Sequence, residues 1–132
     1  MKRWIVLAAA ALIIGCADKP YEPTPTIYDA SYTEQSADKT KVRVHREQQL
    51  AGSGLGKGCP LVLKVDSIAV AGLQQNQYVD LYLANGQHDL SVRFSCAITE
   101  WRKSLSIIAD GQGQEIRVAQ GSVGQYRMWR VK

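Results

Sequence analysis

Nowhere does the chain carry an apolar run long enough to cross a bilayer. The longest, residues 4–14, falls well short of the roughly 20 residues that a spanning helix needs. It has 2 histidines, His45 and His88, far apart and without a further ligand at metal spacing, so no zinc site can be assembled from sequence. None of its 3 cysteines belongs to a Cys-x-x-Cys pair, which sets aside a redox-active dithiol. After Cys16 no stretch repeats apolar residues at spacings of three and four, so a helical domain is not expected. Catalytic motifs are missing too. Gly52-Ser53-Gly54 is only a fragment of a Gly-x-Ser-x-Gly elbow. The segment 51–58 departs from a phosphate-binding loop at both ends, with Ala51 at the first glycine position and Gly58 where Ser or Thr would hold magnesium. Asp80 and Asp89 could approach across a hairpin as a glycosidase-type pair, but acids on a sheet surface are more often solvated. No cofactor, metal or catalytic set is expected, and the chain reads as a non-enzyme.

What is present begins at the amino end. Lys2 and Arg3 precede the apolar run, which leads into Ile13-Ile14-Gly15-Cys16. A basic start and a short apolar core are the parts of a secretory signal. The ending resembles the bacterial lipoprotein signal, whose cleavage box is an aliphatic residue, a variable residue, Gly or Ala, and Cys. The resemblance implies that residues 1–15 are a signal peptide, and that Cys16 is diacylated on sulfur and becomes the first mature residue. Each buried methylene contributes about 0.8 kcal/mol, so two or three acyl chains, palmitate among them, would hold the protein at a membrane. Ala17 rather than Asp follows the cysteine, which by the same resemblance favours the outer membrane with the protein facing the periplasm.

Residues 16–38 read as the lipidated cysteine followed by a flexible acidic tether. Positions 17–38 hold Pro20, Pro23 and Pro25 and five acids against the single base Lys19, a composition too polar to offset ordering entropy. Residues 39–132 hold 13 Lys and Arg against 7 Asp and Glu, a net of +6 against −4 for the tether. Such a basic domain could face anionic lipid headgroups, cell-wall material or an acidic partner. Nucleic acid is not expected in an exported compartment.

The 39–132 segment has period two. Val42 and Val44, then Leu61, Leu63 and Val65, then Val79, Leu81 and Leu83, then Leu90, Val92 and Phe94 each alternate with mostly polar neighbours. Ile68 and Val70 mark a shorter piece, and further runs cover 101–108, 115–119 and 125–131. Asn85-Gly86, Asp110 to Gly113 and Gly121 to Gly124 supply the positive φ of tight hairpins. The expected fold is all-β, a small antiparallel sandwich or partly closed barrel of 7–8 short strands following the signal peptide and disordered tether. An oxidising compartment makes a Cys59–Cys96 disulfide the default. Near the carboxyl end, Trp101 and the interleaved Arg127, Trp129 and Arg130 could contact sugar rings or lipid headgroups, although alternation with Tyr126 and Met128 also suits an ordinary last strand.

The order of these features resembles the PEGA-like family of small β modules and related bacterial lipoproteins of unknown function. The residues that carry the likeness are Val42 to Arg46, the glycine-rich connection, Leu63 to Leu73, and the Leu83-x-x-Gly86-x-His88-x-Leu90 turn, in which Asn85 stands where such families have Pro. The resemblance implies a non-enzymatic envelope module. The expected function is that of a lipid-anchored lipoprotein binding a protein partner or an envelope surface. The alternatives are a structural subunit of an envelope secretion or conjugation machine and, third, a cell-wall glycan enzyme.

Overall fold

The structure, a computed structural model, describes residues 19–49, 58–121 and 124–132. The expected signal peptide 1–15, the expected lipidation site Cys16 and residues 51–57 with Gly52-Ser53-Gly54 lie outside the described residues. Among the described residues the strands are β1 (Glu22–Pro23), β2 (Lys39–Arg46), β3 (Leu61–Val65), β4 (Ile68–Leu73), β5 (Gln77–Ala84), β6 (Gly86–Phe94), β7 (Lys103–Ala109), β8 (Gln114–Gln120) and β9 (Tyr126–Arg130). A 3-10 turn, Ala30–Thr33, is capped by the Asp29 carboxylate.

The strands form two sheets, in the orders β1-β5-β2-β8-β9 and β4-β3-β6-β7. Alternation drives this arrangement. Val42, Val44, Val79, Leu81, Leu83, Ile116, Val118 and Met128 point inward from the first sheet, where they meet Leu61, Leu63, Val65, Leu73, Leu90, Val92, Phe94 and Ile107 of the second. The fold is a small all-β sandwich, as the period-two pattern predicts. Pairing is antiparallel apart from β1 on β5 and β2 on β8, which are parallel.

Two of the glycine turns do a different job from the one expected. β5 and β6 belong to different sheets, as do β7 and β8, so Asn85-Gly86 and Asp110 to Gly113 are crossings between layers and not hairpins. Gly86 and Gly111 do have positive φ, 127° and 90°. The fully buried Thr40 ties both corners, since its hydroxyl donates to Asn85 Oδ1 at 3.0 Å and accepts the Gly111 N–H at 2.8 Å. One hairpin turn lies at Asp66 and Ser67, both with positive φ, between β3 and β4.

Residues 19–38, expected as a free spacer, are corrected by the structure to a docked strap. β1 pairs with the edge of β5, and Thr24 N–H donates to Tyr78 O at 2.8 Å. The chain then crosses to the second sheet, where Ile27 bridges Ala71 and Tyr28 N–H donates to Val70 O at 2.9 Å. Thr24 Oγ1 donates to Gly72 O, and Gly72 N–H to Thr26 O. A Cβ on Gly72 would lie 2.9 Å from the Tyr28 hydroxyl, 3.1 Å from Thr26 Cγ2 and 3.2 Å from Pro60 Cβ, so glycine lets the strap lie close against β4 without displacing these side chains. Composition misleads here because an exposed sheet edge needs covering more than it needs apolar mass. Pro23 and Pro25 alternate with Thr24 and Thr26, and a strand at an edge tolerates prolines where no N–H is used.

Strand registers also set the two ends of the sandwich. His45 opposite Tyr78, Leu61 opposite both Leu73 and Phe94, Val92 opposite Lys103 and Gln120 opposite Tyr126 gather at one end. The Cys59–Cys96 disulfide closes there, with Cα atoms 5.4 Å apart. Buried Arg46 bridges the layers at this end, donating to Leu73 O at 2.9 Å with its guanidinium 5.2 Å from the Phe94 ring centre. Burial pushes its guanidinium down to about 10, which leaves it charged at neutral pH.

Candidate binding surface

The outward residues of the first sheet line up across four strands. Tyr78 on β5 stands opposite His45 on β2, His45 opposite Arg117 on β8, and Arg117 opposite Trp129 on β9. Tyr21, entering from the strap, stacks on Tyr78 with centroids 4.7 Å apart and meets the His45 ring edge-on at 4.8 Å. The Arg43 guanidinium lies 4.1 Å from the Tyr78 ring centre. Arg43 also donates to the Tyr21 hydroxyl at 2.9 Å and makes a two-pronged pair with Asp80 at 2.7 and 3.0 Å. The Asp80 hydrogen bonds raise the Arg43 pKa above its ordinary value, so the layer keeps its charge at any physiological pH. A shallow recess lined by Lys41, Arg43, Glu115 and Lys132 opens beside it.

The four residues singled out in sequence are divided by the fold. Arg127 and Trp129 share the outward side of β9, with the guanidinium 5.2 Å from the indole centre. Arg130 lies at the exposed end of that strand. Trp101 belongs to the loop between β6 and β7 and stacks on Tyr126, whose ring points inward, at 5.1 Å and 15°. Trp101 thus sits toward the core side of β9, and Trp129 on the outer side.

The sequence reading missed Arg43, His45, Tyr78 and Arg117. Their outward parity was legible in the alternation of β2, β5 and β8, but the register that aligns them across strands was not. It also missed Ile98, a fully exposed residue at the tip of the Trp101 loop.

The acids considered for catalysis are separated. Asp80 faces outward from the first sheet beneath Arg43, while Asp89 lies on β6 of the second sheet and accepts from Ser106 Oγ at 2.5 Å. The two do not face each other across a hairpin, because β5 and β6 lie in different layers. Among the described residues no group of three or more His, Cys, Asp or Glu converges as a metal site.

His88 is held at the opposite end of the sandwich. One ring nitrogen meets Asp66 Oδ2 and the other the Ala84 carbonyl oxygen, each at 2.6 Å, while Asp66 Oδ1 accepts Asp89 N–H at 2.9 Å. Burial pulls the His88 pKa down, but the Asp66 and Ala84 hydrogen bonds outweigh it and the net shift is upward. The Asp89 N–H, then His88, hold Asp66 below the usual carboxylate range. Asp66 therefore stabilises the fold above its unfolded pKa of about 3.9, and that contribution is lost as pH falls through the lower folded value. The His88 contribution is full below its unfolded pKa of about 6.5 and is lost as pH rises through the raised folded value. The loss in melting temperature caused by His88→Gln is expected to be greatest between these two unfolded-state values and to shrink at alkaline pH. A loss that stayed constant across the titration would mean that the imidazolium–carboxylate pair contributes nothing.

Comparison with protein-family models, with curated proteins and with solved structures returns no match for this chain.

Proposed function

We propose that the chain is a bacterial envelope lipoprotein, lipidated at Cys16, whose PEGA-like β-sandwich binds a protein partner or envelope surface and does no chemistry of its own. The structural observation that supports binding is the pre-assembled layer of Tyr21, Tyr78 and Arg43, which continues across the sheet to His45, Arg117, Trp129 and Arg127. Stacked rings and paired cations present area at little further entropy cost, because they are held in place before any partner arrives. The ion pair of Asp80 with Arg43 suits an acid that orients a surface residue, not one that shuttles protons. The motif around Cys16 supports a location at the outer membrane, with the domain in the periplasm.

Crosslinking in intact cells, followed by purification and mass spectrometry, tests both halves of this reading. The native chain is expected in the membrane fraction with one recurrent crosslinked partner, protein or cell-wall material, and Cys16→Ala as an uncleaved or mislocalised precursor. Tyr78→Ala combined with Trp129→Ala is expected to lower partner recovery about tenfold, in keeping with the loss of two aromatic anchors. Normal processing and membrane retention of Cys16→Ala would overturn the lipid anchor, and undiminished recovery with the double variant would overturn the binding face. A stoichiometric set of several envelope proteins would favour the machine-subunit alternative.

A further inference from the structure

The strap enters the sandwich at a telling place. Lys19 O accepts from Asn76 Nδ2 at 2.7 Å, and Asn76 lies in the turn leading into β5, at the end where the disulfide closes. Only three steps of chain separate Lys19 from Cys16, at most about 10 Å even when fully extended. An anchor at Cys16 would therefore hold this end of the domain against the lipid.

The same end carries the loop between β6 and β7. Ile98 at its tip is fully exposed, and Trp101 is 55% exposed. The tip is stiffened from within. Cys96 is tied to Cys59, and the Arg93 guanidinium donates to Ala97 O and Thr99 O, both at 2.7 Å. Trp101 lies flat on Tyr126. Arg102 and Lys103 follow directly, and Glu100 is engaged by Arg102 at 3.4 Å and Arg93 at 3.8 Å.

We propose that this end of the sandwich docks on the bilayer that holds Cys16, with Ile98 and Trp101 entering the headgroup boundary and Arg102 and Lys103 facing anionic headgroups. The proposal rests on the lipid-anchor reading above. An indole prefers the interface, an aliphatic tip prefers the acyl boundary, and nearby cations are drawn to an anionic surface. Because the anchor is on the same chain, the contact is intramolecular, and even a weak loop–lipid affinity suffices to keep it populated.

The test uses mature acylated protein in phosphatidylcholine–phosphatidylglycerol vesicles, with and without brominated acyl chains. Processing removes Trp4, so Trp129→Phe leaves Trp101 as the reporter and Trp101→Phe leaves Trp129. Trp101 emission is expected to fall about twofold or more in brominated vesicles, and Trp129, three residues along β9 from Tyr126, by much less. Adding Ile98→Asp should restore Trp101 emission while the protein stays on the vesicles. Equal quenching of the two indoles, or none, in protein whose amino-terminal peptide carries its acyl chains overturns the docking alone. An amino-terminal peptide lacking acyl chains overturns the anchor reading and the docking with it. Trp101 unquenched on vesicles but crosslinked to a protein in cells would overturn the docking and assign the loop to that protein instead.

Discussion

Removing the Cys59–Cys96 bond, by reduction or by paired substitution to alanine, lowers the unfolding free energy by about 4 kcal/mol. The two residues are 37 positions apart, and on the chain-entropy account closing a loop of that size removes about this much freedom from the unfolded chain. The folded state changes little, because the ladder beside the bond stands without it. Leu61 pairs with Phe94, and Ser95 N–H donates to Pro60 O at 3.0 Å. For a domain of this size the melting temperature should fall by roughly 15–25 °C. Calorimetry with and without reductant reads this directly. A fall of only a few degrees would mean that the unfolded chain is already compact around the pair, so that the bond has little entropy left to remove.

Tyr126→Ala ranks next, at about 3–5 kcal/mol, the usual cost of truncating a buried aromatic. Three contacts meet on this side chain. Its hydroxyl accepts the Phe94 N–H at 3.0 Å, its ring packs on Phe94 at 5.6 Å, and Trp101 covers its other side. Tyr126→Phe separates polar from apolar contributions. It keeps the rings in contact but leaves the buried Phe94 N–H without its acceptor, a loss of about 1–3 kcal/mol. Urea unfolding of the two variants should rank alanine well below phenylalanine. Equal midpoints would show that the ring contributes no more than its hydroxyl. Trp101 fluorescence should change with Tyr126→Ala even where the protein remains folded, since the indole loses the ring beneath it.

Much of the architecture was legible because burial imposes a simple code on strands. Val42 and Val44, Leu61 to Val65, Val79 to Leu83 and Leu90 to Phe94 announce their inward faces through alternation, and two cysteines outside any redox motif announce a cross-link. Which strand lies beside which is a different kind of information. The alternation of Val79, Leu81 and Leu83 reads the same whether Asn85-Gly86 folds back within one sheet or crosses to the other, because Leu83 and Leu90 reach the core in both cases. The strap was hidden for a related reason. Its stabilisation comes from backbone hydrogen bonds at Thr24, Thr26 and Tyr28, and backbone groups leave no trace in composition. Of the proposed binding face, the sequence offered Trp129 and Arg127 on one strand, while Tyr78, His45 and Arg117 become neighbours only through register and Tyr21 only through the docked strap. Ile98 was invisible because a lone apolar residue in a loop has no periodicity to betray its exposure.

The position of β2 has a consequence for the order of events during folding. Its neighbours are β5, which begins at Gln77, and β8, which begins at Gln114. A chain emerging amino end first therefore presents β2 long before either flank exists, and the parallel partner arrives only when most of the sequence has been delivered. Pairings of such separation pay their loop-closure entropy before they gain contacts, which makes assembly slow compared with that of a helical domain of equal length. β1 and β2 must wait as unpaired chain while the β3–β4 hairpin can already form, and the native topology becomes available only to a nearly finished polypeptide.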